Sequence, residues 1–200
     1  MADVQRGKLR LAVLISGRGS NLKALIEACK EPDFPAQIDV VISNVEGALG
    51  LQVAANAGIA THIVDHKRFI DRKSFETALT LVLEAYPIDY VCLSGFMRVL
   101  SEDFVTRWRG RIINIHPSLL PAYKGLHTHQ RAIDDGVNEA GCTVHIVTED
   151  LDDGPILVQR KVPVLPDDTA QILADRVLVE EHKAYREAII MIADSLFKAK

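Results

Sequence analysis

The chain has 200 residues, 48% hydrophobic and 25% charged, which suits an ordinary globular protein with one full core and no second module. Its net charge of −4 excludes the broad basic face that grips nucleic acid, so anionic ligands must be held by local groups. No run approaches the roughly 18 apolar residues of a membrane span, and residues 1–8 lack the apolar core of a signal peptide. Cys29, Cys92 and Cys142 are odd in number and widely spaced. That fits reduced thiols in a cytoplasm and neither a disulfide framework nor a zinc site.

Residues 9–15 form a short apolar run of strand type, and the small residues of 16–21 read as a turn. Leu22, Leu25, Ile26 and Cys29 then recur at helical spacing. Residues 37–43 read as a second strand, followed by a helix over about 48–57 that Gly58 stops. A third strand at 61–64 and a helix at about 72–85, ended near Pro87, come next. The fourth and fifth strands are 88–94 and 111–115, with a short helix at about 101–108 between them. Such alternation predicts a mostly parallel sheet covered on both faces. After Pro121 the pattern changes to a helix at about 128–135 and two alternating strands, 142–148 and 156–162, joined by a turn and expected to include an antiparallel pairing. Residues 169–196 form a long amphipathic helix, capped by Asp167-Asp168-Thr169. The expected fold is α/β, a Rossmann-like three-layer sandwich on a mostly parallel twisted sheet of about seven strands with an antiparallel C-terminal part. With no linker, internal repeat or low-complexity segment, it is one domain.

Two stretches carry chemistry. Ser16-Gly17-Arg18-Gly19-Ser20-Asn21 lies between the first strand and the first helix, where glycines and free helix N–H groups suit an anion. A dinucleotide fingerprint would want glycine where Leu22 stands, and no Gly-Lys-Ser/Thr follows, so a single phosphate is the expected ligand. Asn114-Ile115-His116-Pro117-Ser118-Leu119-Leu120-Pro121 places an amide and an imidazole two residues apart, on one face of a strand that the prolines end. Thirty-six residues after His116, Leu151-Asp152-Asp153-Gly154-Pro155 adds a carboxylate. An amide donor beside a histidine suits a reaction in which negative charge grows on a carbonyl oxygen, and an aspartate can orient the imidazole or manage its proton.

These motifs, with Gly95-Phe96-Met97-Arg98, Gly125-Leu126-His127-Thr128-His129 and Glu180-Glu181-His182-Lys183-Ala184-Tyr185 in the same order, resemble the phosphoribosylglycinamide formyltransferases over essentially the whole chain. The resemblance implies formyl transfer from 10-formyltetrahydrofolate, as co-substrate, to the amine of glycinamide ribonucleotide in purine synthesis, without a metal. It implies that Gly19, Ser20 and Asn21 hold the phosphate, that Glu181 helps hold the ribonucleotide, and that Asn114, His116 and Asp152 are the catalytic trio. Met97, Arg98, Val99 and Leu100, with Thr148, Glu149 and Asp152, match the walls of the folate site, where the pterin is read largely by backbone groups. Residues 1–100 are then the ribonucleotide half and 101–200 the catalytic and folate half. The expected partners are these small molecules, with no nucleic acid or membrane, for a cytoplasmic monomer or homodimer.

Several residues remain open. Arg18 varies in the family and either helps the phosphate or faces solvent. Asp153 stands where many relatives have glycine. His145 either supports the catalytic histidine or is a satisfied core residue, and His127 and His129 read as capping, packing or ribonucleotide-lining residues and not as a metal pair. A formyl-folate hydrolase or another formyltransferase could use the same trio with water or a different amine. Those relatives usually carry an extra N- or C-terminal domain, for which the chain is expected to have no room. A non-catalytic nucleotide-binding module would not need the trio in register with the phosphate turn.

Overall fold

The computed structural model describes residues 7–198, so residues 1–6 of the segment read for a signal peptide lie outside the described residues. The strands are β1 (Leu9–Ile15), β2 (Ala36–Ser43), β3 (Ala60–Ile63), β4 (Tyr90–Leu93), β5 (Ile112–His116), β6 (Glu139–Ile146) and β7 (Ile156–Pro163). The helices are α1 (Ser20–Lys30), α2 (Leu49–Asn56), α3 (Arg72–Glu84), α4 (Glu102–Arg107), α5 (Thr128–Asp134) and α6 (Ala170–Lys198), with a single 3-10 turn at His66–Arg68. All seven strands form one sheet in the order β3-β2-β1-β4-β5-β6-β7. The pairings through β5 are parallel, whereas β6 runs antiparallel to both β5 and β7.

Strand alternation separates two cores. Leu11, Val13 and Ile15 of β1 pack with Leu22 and Leu25 of α1 and with Val177, Tyr185 and Ile189 of α6. Ala12 and Leu14, pointing the other way, pack with Phe75, Leu79 and Leu83 of α3 and Phe104 of α4. Near-continuous apolar strands are what a sheet buried on both faces requires. No helix among the described residues is long and apolar enough to cross a membrane.

Most element ends fall within a residue or two of the sequence expectation, the usual uncertainty of frayed ends. β6 differs more, running over Glu139–Ile146 in place of 142–148. Its start is disguised by Gly141, where a Cβ would stand 2.0 Å from the Arg160 carbonyl oxygen, so close packing against β7 replaces the expected apolar side chain. Its end comes early because Gly154 packs on the Ile146 carbonyl, where a Cβ would lie 1.7 Å from the oxygen. The chain then leaves the ladder, and the connection expected at 149–155 runs over the nine residues 147–155. The cap of the long helix stands as expected, with the Thr169 hydroxyl accepting from the Ile172 N–H at 3.3 Å.

One buried contact ties α6 to the strands that carry the site. The Tyr185 hydroxyl, 1% exposed as a residue, donates to the Leu93 carbonyl at 2.9 Å and lies 3.3 Å from the Ile113 carbonyl. Tyr185→Phe should therefore lower stability by about 1 kcal/mol, the usual net worth of one buried hydrogen bond. Urea unfolding of the two proteins measures it, and an unchanged midpoint would show that the hydroxyl does not secure α6.

Candidate active site

β5 is apolar at Ile113 and Ile115, which face α6, but presents Asn114 and His116 on the opposite face. Pairing with β6 sets His145 directly across from Asn114 and Thr143 across from His116. The stretch after His116 is fixed by polar contacts to the antiparallel strands. Thr143 Oγ1 donates to the Ser118 carbonyl at 2.7 Å and accepts from the Leu120 N–H at 3.1 Å, and Gln159 donates to the Leu120 carbonyl at 2.8 Å.

Four side chains form a line of contacts at this end of the sheet, Asn114–His145–Asp152–His116. Asn114 Nδ2 lies 3.2 Å from His145 Nε2, and His145 Nδ1 lies 3.0 Å from the Ile146 carbonyl. A neutral His145 with its proton on Nδ1 satisfies both contacts, donating to the carbonyl and accepting from Asn114. Burial is the main cause that lowers the His145 pKa and favours the neutral form; the bond to the Ile146 carbonyl and the nearby Asp152 oppose it, and His116 adds to it. Asn114 keeps one amide proton for a ligand. Asp152 joins the two histidines, with Oδ1 at 3.7 Å from His145 Nε2 and Oδ2 at 3.4 Å from His116 Nδ1.

The two neighbouring aspartates point apart. The Asp152 side chain is 9% exposed, whereas that of Asp153 is 50% exposed and pairs with Lys124. Asp152 reaches inward by adopting a left-handed backbone, φ 49°, which Asp tolerates better than most residues. Its Oδ2 also accepts from the Gly125 N–H at 3.0 Å. His116 Nε2 in turn lies 2.9 Å from the Tyr123 carbonyl. Both ring nitrogens of His116 therefore face acceptors, an arrangement that only a doubly protonated ring satisfies in full. The segment that supplies the Tyr123 carbonyl and Gly125 amide holds left-handed φ angles at Tyr123, Gly125 and His127. These two backbone partners carry no side-chain signature and were not legible in the sequence.

The glycine turn leads directly into α1. Gly19 is its N-cap, left-handed at φ 74°, with no side-chain cap, and the first helical bond runs from Lys23 N to the Gly19 carbonyl at 2.9 Å. The N–H groups of Ser20, Asn21 and Leu22 accordingly point out of the helix without partners among the described residues, as an anion site requires. Asn21 uses its side chain elsewhere, donating from Nδ2 to Glu181 Oε2 at 2.6 Å, and Asn21 Oδ1 is buried without a partner. Burial is the main cause raising the Glu181 pKa, partly offset by the bond from Asn21. Arg18 is exposed and makes no ion pair among the described residues. Gly50, which sequence reasoning missed, backs the turn. Its N–H donates to the Gly17 carbonyl at 3.0 Å, and a Cβ there would meet Ile15 at 2.6 Å.

Met97 to Leu100 follow β4 at the point where the sheet order reverses direction, beside the end of β1, the usual ligand crevice of an open α/β sheet. Met97 and Val99 are 67% and 60% exposed, Arg98 is exposed, and Leu100 is partly buried on the core. Among the described residues none bonds to the backbone of Arg98, Val99 or Leu100. Thr148 and Glu149 lie on the nine-residue connection with Asp152, and the Glu149 carboxylate is taken up by Arg109 at 2.5 Å. Among the described residues no three His, Cys, Asp or Glu side chains are grouped to hold a metal ion. A groove of about 600 Å³ between α3 and α4 shares none of these residues and is lined by both signs of charge.

Comparison with known proteins gives this geometry a family. The family model described as formyl transferase matches residues 9–189. The chain is 45% identical over 190 residues to the phosphoribosylglycinamide formyltransferase of Escherichia coli, covering 95% of this chain and 90% of that protein. It is 50% identical over 189 residues to the human trifunctional purine biosynthetic protein adenosine-3, covering 94% of this chain but only 19% of that protein. The chain thus spans between 14% and 19% of the length of these trifunctional relatives. Among solved structures, the phosphoribosylglycinamide formyltransferase of Brucella melitensis superposes with TM-score 0.89 at 50% identity, covering 93% of this chain and 96% of that one. Glycinamide ribonucleotide transformylase 1 of Symbiobacterium toebii does so with TM-score 0.93 at 44% identity, covering 98% and 92%. The chain belongs to the formyl transferase family.

Proposed function

We propose that this chain transfers the formyl group of 10-formyltetrahydrofolate to the amine of glycinamide ribonucleotide. The observation that carries the reading is the union of a helix N-terminus without a side-chain cap and the Asn114–His145–Asp152–His116 line of contacts in one member of the formyl transferase family. The relative from Escherichia coli that matches over most of both chains bears the name of this activity.

In this reading the free N–H groups at Ser20 to Leu22, beyond Gly19, take the phosphate. Asn21 Oδ1 and Glu181, buried acceptors side by side, suit sugar hydroxyl donors. Residues of both halves of the chain therefore meet at the ribonucleotide. The unpaired backbone of Arg98, Val99 and Leu100 suits the polar edge of a pterin, and exposed Met97 and Val99 offer it apolar contact. Thr148 and Glu149 would wall the opposite side beside Asp152.

The chemistry follows from where charge grows. The neutral amine attacks the formyl carbon, a C–N bond forms, and the carbonyl electron pair moves onto oxygen. Asn114 donates its remaining amide proton to that oxygen, and a protonated His116 donates a stronger, charge-assisted bond. His116 Nε2 is engaged by the Tyr123 carbonyl at 2.9 Å, so this contact requires residues 122–126 to yield when substrate enters. Collapse of the oxyanion breaks the bond to the folate nitrogen, which takes the proton lost by the amine. Asp152 stabilises the imidazolium and relays that proton, directly or through water. A positioned amine is already a good nucleophile, so most of the rate should come from holding two substrates together and stabilising the oxyanion. This route needs neither a covalent enzyme intermediate nor a metal.

The direct test offers 10-formyltetrahydrofolate with and without glycinamide ribonucleotide and follows release of tetrahydrofolate. Release should depend strictly on the amine. Equal release without it would make the chain a hydrolase, and ligand binding without turnover would make it a binding module.

Changing both Ser20 and Asn21 to alanine should weaken ribonucleotide binding by roughly ten- to a hundredfold, the worth of two neutral hydrogen bonds, and leave folate affinity nearly intact. Calorimetric titration of each ligand measures this. Unchanged ribonucleotide affinity would show that neither side chain contacts the ribonucleotide, and equal weakening of both ligands would point to general damage.

A further inference from the structure

Ser16 sits between the end of β1 and the glycine turn, and it bonds to the β4 side of the cleft twice. Its N–H donates to the Gly95 carbonyl at 3.2 Å, and its Oγ accepts from the Met97 N–H at 2.8 Å. The hydroxyl's single proton is then left for Asn44 Oδ1, 2.5 Å away at the end of β2. That assignment turns the Asn44 amide nitrogen toward His66, whose Nδ1 lies 3.1 Å from it and 2.9 Å from the Asn44 carbonyl. Either tautomer of His66 gives one bond to Asn44, because Nδ1 can donate to the carbonyl or accept from the amide. His66 is braced edge-on against Phe75 of α3, ring centroids 6.4 Å apart. Asn44 is 3% exposed, so these bonds run through interior where an unpaired group is expensive.

The far end of the same segment has its own anchor. Ser101 N donates to Glu76 Oε1 at 2.7 Å, and the Ser101 hydroxyl donates to Glu76 Oε2. Between Met97 and Ser101 the backbone is unpaired among the described residues. The segment is thus pinned at both ends and open in the middle. Only the Ser16 pin is shared with the turn that begins one residue later at Gly17. A hydroxyl there can set where one ligand lies relative to the other, and a misplacement of about 1 Å can cost on the order of a hundredfold in rate.

We propose that Ser16 is a positioning residue for formyl transfer, fixing the register between the ribonucleotide turn and the 97–100 segment through Met97 N–H···Ser16 Oγ–H···Asn44 Oδ1. The inference rests on the two ligand sites assigned under the proposed function. The test compares the wild-type chain with Ser16→Ala and Ser16→Thr, and with Asn44→Ala as a second break in the same chain of bonds should Ser16→Ala fail to fold. Each protein is assayed for kcat, for KM of both substrates, for thermal unfolding and for hydrogen exchange at the Met97 amide.

Ser16→Ala should raise KM for 10-formyltetrahydrofolate by about three- to tenfold and lower kcat by a similar factor, as loss of one or two neutral hydrogen bonds predicts. KM for the ribonucleotide should change by less than about twofold, because the Ser16 side chain bonds to Met97 and Asn44 and not to the turn's N–H groups. Met97 exchange should accelerate. Ser16→Thr, which keeps the hydroxyl, should recover the kinetic constants and the protection. A packing role alone would lower the melting temperature and leave the constants of the folded enzyme unchanged. That result, or equal weakening of both substrates, overturns the proposal. A wild-type chain that transfers no formyl group would overturn the functional reading itself, whereas active wild type with unaltered Met97 exchange in Ser16→Ala overturns the register alone.

Discussion

The antiparallel pairing of β5 with β6 is the constraint on which the site depends. Another crossover to a further parallel strand would have put a helix on a face of the sheet and a different strand beside β5. The reversal instead places His145 opposite Asn114 and Thr143 opposite His116. It also returns the chain through residues 147–155 past the end of β5, where Asp152 comes within 3.4 Å of His116. Because side chains alternate along a strand, a one-residue slip in this pairing would turn His145 into the α6 core and remove it from Asn114. Gly141 fits β6 against the Arg160 carbonyl of β7, and Gly154 fits the returning chain against the Ile146 carbonyl, since neither has room for a side chain.

The line of contacts from Asn114 to His116 concentrates polar groups where the rest of the sheet is apolar, and each must find a partner at low dielectric. The geometry meets that demand with few spare groups. His145 bonds to Asn114 and to a main-chain carbonyl, and Asp152 bonds to the Gly125 amide and faces two imidazoles. His116 is engaged on both nitrogens. Under the proposed function, this arrangement holds the Asn114 donor in place before substrate arrives. The single adjustment demanded of it is the release of the Tyr123 carbonyl. That carbonyl belongs to a segment with three left-handed residues, Tyr123, Gly125 and His127.

Much of this was legible in the sequence, for identifiable reasons. The i, i+2 spacing of Asn114 and His116 announces a shared strand face, and apolar runs with helical periodicity marked nearly every element. The start of β6 was hidden because Gly141 contributes fit and not hydrophobicity. His145 was ambiguous because its partner lies 31 residues away across a strand pair whose register no local pattern specifies. The Asn21–Glu181 contact spans 160 residues, so only resemblance could link them. The Tyr123 carbonyl and the Gly125 amide are backbone groups common to every residue type, and no sequence pattern marks them as ligands of a side chain. Gly50 is invisible for the same reason, since its role is to leave space behind the glycine turn.

The central claim is that a buried carboxylate at position 152 governs the charge and proton traffic of His116, and the adjacent aspartate provides its own control. The decisive measurement is kcat at saturating substrates for Asp152→Asn and Asp153→Asn, with thermal unfolding checked for each. Asn keeps the size of the side chain but removes its charge and its proton-accepting site. Turnover should fall by roughly a hundredfold or more in Asp152→Asn, the range that positioned acid–base groups contribute. Asp153→Asn should cost little, because that side chain is half exposed and pairs with Lys124. A folded Asp152→Asn enzyme with near wild-type kcat, or a selective loss in Asp153→Asn, would contradict the account.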